Sequence, residues 1–400
     1  MSILDIRENN QTDVDHSIAT IQPEIQGAEA KKKREHYIDW IRHICLFFLI
    51  LGHSATVFDI RGDVYYIYSS NPSYELTFLI AILETFLMAT YFFLSGVSLF
   101  FDTKKKNFGA YIKTRLQRIA IPLIFGLLVI IPPESYLGAV WHGQFLGTYA
   151  DYYPQAFQIH ESGSLDGYLG GFTPGHLWFL MALLIYMFPS LIFVAIFKKL
   201  SKQTKSKIGS IIAKPGIIYL PFIFLALTFP ETFDTGIPLL YYFVLLLLGY
   251  FFMIDKQIME SVEKHRYVSL FFGICALLVS KIFSGRNLVR FKDYSFFTVL
   301  DFSIGTWFMV LGIVGFARMY LNKETKFSTY MNDANYPIFI IHQTILVVVS
   351  YVVAQLSIPV GFQFAIIAIS TMTICVALYH AVIRDSHVLR FLMGMPKEKR

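Results

Sequence analysis

The apolar residues of this chain gather into blocks, and many blocks approach the ~20 residues that a helix needs to cross a hydrocarbon core. Ten such blocks are read, at 37–58, 74–101, 119–131, 176–197, 216–229, 237–254, 267–283, 296–321, 335–353 and 362–383. The third and fifth are short, and an apolar run of ~10 to 14 residues is often re-entrant or interfacial. Composition agrees with the blocks: the chain is 55% hydrophobic and 16% charged. Its mean hydropathy is +0.53. An ordinary soluble domain carries roughly one quarter charged residues, so a soluble 400-residue protein is excluded. The expected fold class is all-α: a polytopic membrane protein of about ten transmembrane helices with no fused soluble domain.

Loop charge orients the blocks. Translocating Lys and Arg is unfavourable, so basic loops stay in the cytoplasm. With ten crossings, one side holds Lys104, Lys105, Lys106, Lys113, Arg115 and Arg118, then Lys198, Lys199, Lys202, Lys205, Lys207 and Lys214. Later turns on that side hold Lys256, Lys264, Arg266, Arg318, Lys323 and Lys326, and the chain ends in Lys397, Lys399 and Arg400. The other side holds the stretch 133–175, which has no Lys or Arg but carries Glu134, Asp151, Glu161 and Asp166. Rich in Gly and Tyr, that stretch reads as an extramembrane lid. The turns around Glu231 and Ser357 are also free of basic residues. One outer loop breaks the pattern with Lys281, Arg286, Arg290 and Lys292, suited to outer headgroups or to an anionic ligand.

These counts place both termini in the cytoplasm and the protein in the cytoplasmic (inner) membrane. Residues 1–34 read as a disordered cytoplasmic tail ending in Lys31-Lys32-Lys33-Arg34, 35–390 as the membrane domain and 391–400 as a second cytoplasmic tail. No apolar h-region follows a basic n-region, so no cleavable signal peptide is expected. Cys45, Cys275 and Cys375 lie singly inside apolar blocks, which implies neither a disulfide framework nor a metal site. No nucleic-acid partner is expected.

Ionisable side chains at bilayer depth are costly and mark functional positions by default. The first block carries Asp39, Arg42 and His53. Arg42 and His53 are eleven residues apart, about three turns and ~16 Å of rise, which sets them on nearly one face at different depths. Asp39, three residues before Arg42, is placed to pair with it. A neutral imidazole at His53 suits a general base toward a hydroxyl. It equally suits a histidine hydrogen-bonded between helices. Glu84, in the second block at a similar depth, is placed to orient that imidazole as a triad carboxylate does, or to pair with another buried polar group. Asp301 sits near an outer helix end, within reach of water. Arg115 and Arg118 stand at the inner mouth of the third block with i, i+3 spacing, suited to holding phosphate oxygens of a ligand or of lipid.

The pattern resembles the acyltransferase-3 family of transmembrane acyltransferases. The resemblance rests on Arg42-x10-His53, Phe92-Phe93-Leu94-Ser95-Gly96, Arg115-x-x-Arg118 before Ile119 and Pro122, His176-Leu177-Trp178-Phe179-Leu180, and the run from Tyr336 through Pro337 and His342 to Gln343. It spans nearly everything after Arg34 and looks closest to the glucan-modifying, succinyltransferase-like branch. The resemblance implies transfer of an acyl group from a cytoplasmic acyl-CoA, bound only as donor substrate, to a hydroxyl of an extracytoplasmic carbohydrate. It also implies His53 as base or acyl carrier, Arg42 on the donor path, and Arg115 with Arg118 as donor ligands. An extended pantetheine arm covers the ~16 Å between Arg42 and His53.

Two routes stay open at His53: deprotonation of the acceptor in a ternary complex, or an acyl-histidine intermediate. His176 and Trp178 open the fourth block beside the expected acceptor entrance, where Trp178 suits an interfacial anchor and His176 a ligand of sugar hydroxyls. His342, expected in the inner half of the ninth block, could satisfy a carbonyl freed by Pro337. The competing class is a proton-coupled secondary transporter or flippase, which buried Arg, His, Glu and Asp would also suit. Against it, the chain has no evident two-half repeat.

Overall fold

The computed structural model describes residues 34–61, 65–105, 107–160, 165–229, 238–283 and 296–396, and the side chains of 280–283 and 296 are outside that description. The N-terminal basic cluster before Arg34, Lys106, Glu161, the turn around Glu231, the side chain of Lys281, the cations Arg286, Arg290 and Lys292, and the C-terminal Lys397, Lys399 and Arg400 therefore lie outside the described residues. The chain divides into Met1–His36 and Tyr37–Arg400, and the packing below belongs to the second unit.

Among the described residues every regular element is helical. The order is α1 His36–Thr56, α2 Tyr74–Lys105, α3 Phe108–Trp141, α4 Gly175–Lys199, α5 Lys202–Ile212, α6 Ile217–Thr228 and α7 Leu239–Phe252. It continues with α8 Lys256–Lys264, α9 Arg266–Phe283, α10 Phe296–Tyr320, α11 Lys326–Val353, α12 Val360–Ile383 and α13 His387–Leu392. Each of the ten apolar blocks carries a helix, but among the described residues length and hydropathy qualify seven of these helices as spans, or nine when each bent pair counts as one. The bent pairs are α5 with α6, at 96°, and α7 with α8, at 106°. A count of ten crossings therefore goes beyond what length and composition support.

The outside of the bundle is made for lipid. On α4, Met181, Ile185, Phe188, Ile192 and Ile196 recur at three- and four-residue intervals and are all exposed. In water such a stripe would be a large unpartnered apolar face; in a bilayer it is ordinary. The molecule is an all-α integral membrane protein. The third block is longer than the sequence suggested, because helical residues continue on both sides of it from Phe108 to Trp141. Two π segments, Leu116–Ala120 and Gly126–Ile130, interrupt this helix, and π bulges of this kind often accompany functional sites. The stretch after Pro133 accordingly begins as part of the bundle, and the loop starts only beyond Trp141.

The helices meet through small residues. A Cβ on Gly96 of α2 would sit 1.8 Å from the carbonyl oxygen of Leu246, and one on Gly249 of α7 would sit 1.9 Å from that of Phe93. The crossing of α2 and α7 thus requires glycine on both sides, since neither obstacle is a side chain that can swing away. Replacing Gly96 with valine should force the helices apart and destabilise the protein by at least about 3 kcal/mol, the upper end for overpacking. Thermal unfolding in detergent reads this directly; an unchanged midpoint would show that the crossing tolerates side chains.

Candidate active site

Three prolines shape the neighbourhood of the site by withdrawing helix hydrogen bonds. Pro122 has no N–H to offer the carbonyl four residues earlier, that of Arg118, and the Tyr336 hydroxyl donates to that carbonyl instead at 2.8 Å. Pro132 does the same to Leu128, whose carbonyl accepts from the Tyr153 hydroxyl at 2.9 Å. Pro337 lies inside α11, yet His342 does not reach back to the carbonyl that Pro337 frees. Its Nδ1 donates to Phe339 O at 2.7 Å, within its own turn.

That bond fixes the tautomer of His342. With the hydrogen on Nδ1, Nε2 is a bare lone pair, and it has no hydrogen-bond partner among protein groups. The side chain is fully buried, and leaving such an atom unpaired costs ~1 to 3 kcal/mol. The ring stands 5.6 Å from that of His53, centroid to centroid, and 4.9 Å from that of His176. The sequence places His342 at a different depth from His53. It lies beside it, because α11 begins at Lys326 and residue 342 is near the middle of the helix.

His176 repeats the pattern of His342. Its Nε2 donates to Ile340 O at 2.8 Å, so its Nδ1 is the bare nitrogen, 3.5 Å from Glu134 Oε1. With a side chain 2% exposed, His176 faces Glu134 inside the bundle and not the surface that its place at the start of α4 suggested. Trp178 is partly buried among aromatic rings. It packs against the stacked rings of Phe92 of α2 and Tyr242 of α7, at 5.9 and 5.6 Å.

Glu84 occupies a different place from the one expected. Its carboxylate is 3.4 Å from Arg61, which Asp59 also holds at 2.7 Å, and it is 43% exposed at its side chain. The acid that joins the histidines is Glu134 of α3, which the sequence alone assigns to a loop. It is fully buried, and its Oε1 lies 2.6 Å from Thr344 Oγ1. The available signal was its position directly after Pro132-Pro133 at the end of an apolar run, where a helix can restart without leaving the bundle.

The arginines lie nearer one end of the bundle. Asp39 pairs with Arg42 at 3.2 Å, as i, i+3 spacing requires, and Arg42 donates to Ser98 Oγ at 2.5 Å. Arg115 pairs with Asp102 at 3.2 Å and stacks on Tyr111. Arg115 and Asp102 both act electrostatically on Arg42, so the two ion pairs are neighbours. Arg115 and Arg118 were expected on one helix face. The π segment Leu116–Ala120 takes an extra residue per turn, and Arg115 turns inward while Arg118 stays exposed. Beside Arg115 runs a narrow cleft lined by Ser95, Tyr111, Ile119, Tyr186 and Ser190. A larger surface pocket, of about 680 Å³, opens at the start of α11 among Glu324, Lys326, Tyr330, Asp333, Tyr379 and Arg384. Its two acids offset its two bases.

Comparison with known proteins decides what this geometry belongs to. Residues 35–380 match the acyltransferase-3 family model, described as an acyltransferase domain. The chain belongs to the acyltransferase-3 family. It is similar to proteins called glucans biosynthesis protein C, at 22% identity over 400 residues to that of Shigella dysenteriae, covering 92% of this chain and 96% of the relative. The protein of that name from Salmonella typhimurium is 22% identical over 388 residues with the same coverage. No solved structure matches. This acyltransferase-3 member is a membrane O-acyltransferase, and the transporter reading gives way to the family assignment. The histidine cluster sets a bare imidazole nitrogen, His342 Nε2, in the ring that stands beside the half-buried His53.

Proposed function

We propose that this protein moves an acyl group of the acetyl or succinyl class from a cytoplasmic acyl-CoA to a hydroxyl of an extracytoplasmic glucan or related envelope carbohydrate. The observation that carries the reading is the placement of His53 of α1 against His342 of α11, with Arg42 lower on the same helix at the end where Arg115 and Arg118 lie. His53 takes the acceptor proton or the acyl group itself, and Arg42, Arg115 and Arg118 serve the donor. The glucan class of acceptor rests on the name carried by the relatives of this chain. Both termini lie in the cytoplasm and the membrane is the inner one, a reading supported by the basic residues of the loops.

Phosphates of the donor fit Arg118 better than the large pocket at the start of α11. Arg118 is exposed, whereas Lys326 and Arg384 in that pocket share it with Glu324 and Asp333. Arg115, already held by Asp102, works on the donor by its field and not by a direct phosphate contact.

The experiment is transfer in proteoliposomes, with acyl-labelled CoA on one side and a glucan on the other. Labelled glucan should form only when the donor is on the side of the arginines. If purified protein never labels glucan yet carries it across the bilayer, acyl transfer is lost and the flippase reading returns. Within an active preparation, Arg118→Ala should raise the donor KM about tenfold, equivalent to ~1.4 kcal/mol, and leave kcat within about twofold. A donor titration checks it, and an unchanged KM removes Arg118 from the donor site.

A further inference from the structure

The proton taken by His53 has a place to go. Among the described residues, His342 of α11, His176 of α4 and Glu134 of α3 meet with the bonded nitrogens of both histidines turned to helix carbonyls. Their bare nitrogens, His342 Nε2 and His176 Nδ1, have no hydrogen-bond partner among protein groups. Thr344 of α11 ties the carboxylate of Glu134 to the same helix. Its hydroxyl lies 2.8 Å from Ile130 O and 2.6 Å from Glu134 Oε1. A hydroxyl has one hydrogen, and a backbone carbonyl can only accept. The one Thr344 hydrogen is shared between Ile130 O and Glu134 Oε1, both of which accept it, and this leaves the carboxylate of Glu134 open to take a proton. The same oxygen is 3.5 Å from the bare Nδ1 of His176.

We infer that Glu134, His176 and His342 form a proton-holding unit behind His53, with Glu134 as its proton store and His342 Nε2 as its contact with His53. This rests on the acyl-transfer reading above. In the transfer step the acceptor O–H bond breaks and its proton passes to a His53 nitrogen while the new oxygen–acyl carbon bond forms. The carbon–sulfur bond of the thioester breaks, and sulfur leaves with the electron pair. His53 shares its added proton with His342 Nε2, and the unit returns one proton to the thiolate, so no further reactant is consumed. The three residues act through His53 and are positioning residues. A single turn of α11 supplies both carbonyls that set the tautomers, Phe339 and Ile340, so the unit is assembled by one helix.

The ionisable groups that face the unit come from α1, α2 and the segment between them. His53 lies on α1, and Tyr91 of α2 has its ring 6.4 Å from that of Phe339. Tyr66 Oη and Glu134 Oε2 both approach Gly175, at 3.4 and 3.3 Å from the point that a Cβ on this glycine would occupy. Tyr65 receives a hydrogen bond from Gln343, next to His342, at 2.7 Å. Apart from Glu134 itself, none of these is a carboxylate or a cation that could store a proton in its place near neutral pH.

The test is Glu134→Gln in the full-length protein. Glutamine keeps the shape and its amide oxygen can still accept from Thr344, but it cannot exchange a proton. The variant should unfold at the wild-type temperature in detergent and keep both KM values within twofold. Its kcat should fall at least tenfold, and one ionisation should disappear from the kcat–pH profile. His342→Gln should remove the same ionisation. A Glu134→Gln enzyme with wild-type kcat and profile would overturn the inference, and so would a fall in kcat with the profile unchanged. If wild type itself transfers no acyl group, it is the acyl-transfer reading that has failed; the inference fails when wild type is active and the glutamine variant matches it.

Discussion

Replacing His53 with alanine is expected to lower kcat for acyl transfer by about 10²- to 10⁴-fold, the range that a positioned general base supplies. Donor and acceptor KM should change little, because the imidazole acts on the reacting proton and not on the distant phosphates. The fold should persist. His53 is only half-buried and its ring meets His342 at 5.6 Å, so alanine removes one ring contact and leaves the hydrogen bonds of His342 and His176 to their helix carbonyls in place. A thermal midpoint within a few degrees of wild type, measured beside the rate, separates lost chemistry from lost structure. An alanine variant that turns over within tenfold of wild type would remove His53 from the chemistry altogether.

The same residue divides the two routes. With labelled donor and no acceptor, an acyl-histidine would accumulate if His53 carries the group, and mass spectrometry of the peptide containing it would show the added mass. Accumulation at His53 excludes the purely general-base route. Absence of label in a protein that transfers acyl groups when acceptor is added favours the ternary complex. The bare Nε2 of His342 serves either route, since acylation of one His53 nitrogen also requires a proton to leave the ring.

Much of this molecule was legible in the order of its residues, and what was not has physical causes. The apolar blocks gave the spans because a bilayer demands long helices, a one-dimensional requirement that a sequence states directly. Asp39 with Arg42 was legible because i, i+3 pairing is local. The histidine cluster was not, since it joins α1, α3, α4 and α11, and helix spacing says nothing about which distant helices touch. Glu84 and Glu134 show the difficulty in pairs. One lies inside an apolar run and the other just after one, and only the fold assigns Glu84 to Arg61 and Glu134 to His176. The split between Arg115 and Arg118 was hidden by the π segment, which breaks the 100° arithmetic that the i, i+3 argument used.

The second large effect is expected at Arg42, and it should differ in kind from that at His53. Arg42 stands where three constraints meet: Asp39 on its own helix, Ser98 on α2, and the field of the Arg115–Asp102 pair. Ser98 also donates to Leu94 O at 2.7 Å, so it stays satisfied when the guanidinium is removed. Asp39, with a side chain 13% exposed, loses this ion pair. Hydrogen bonds to charged groups contribute ~1.5 to 3 kcal/mol, so Arg42→Ala should raise the donor KM by roughly tenfold to a hundredfold. Lysine should recover little, because it restores the charge but not the fork that reaches Asp39 and Ser98 together. The decisive comparison is the double variant Arg42→Ala with Arg118→Ala. If both serve one donor molecule at different points along its length, their effects on donor KM should add, within about 0.5 kcal/mol, and kcat should follow His53 alone. A loss confined to kcat at Arg42 would instead place this arginine in the acyl-transfer step and shorten the donor path to the arginines of α3.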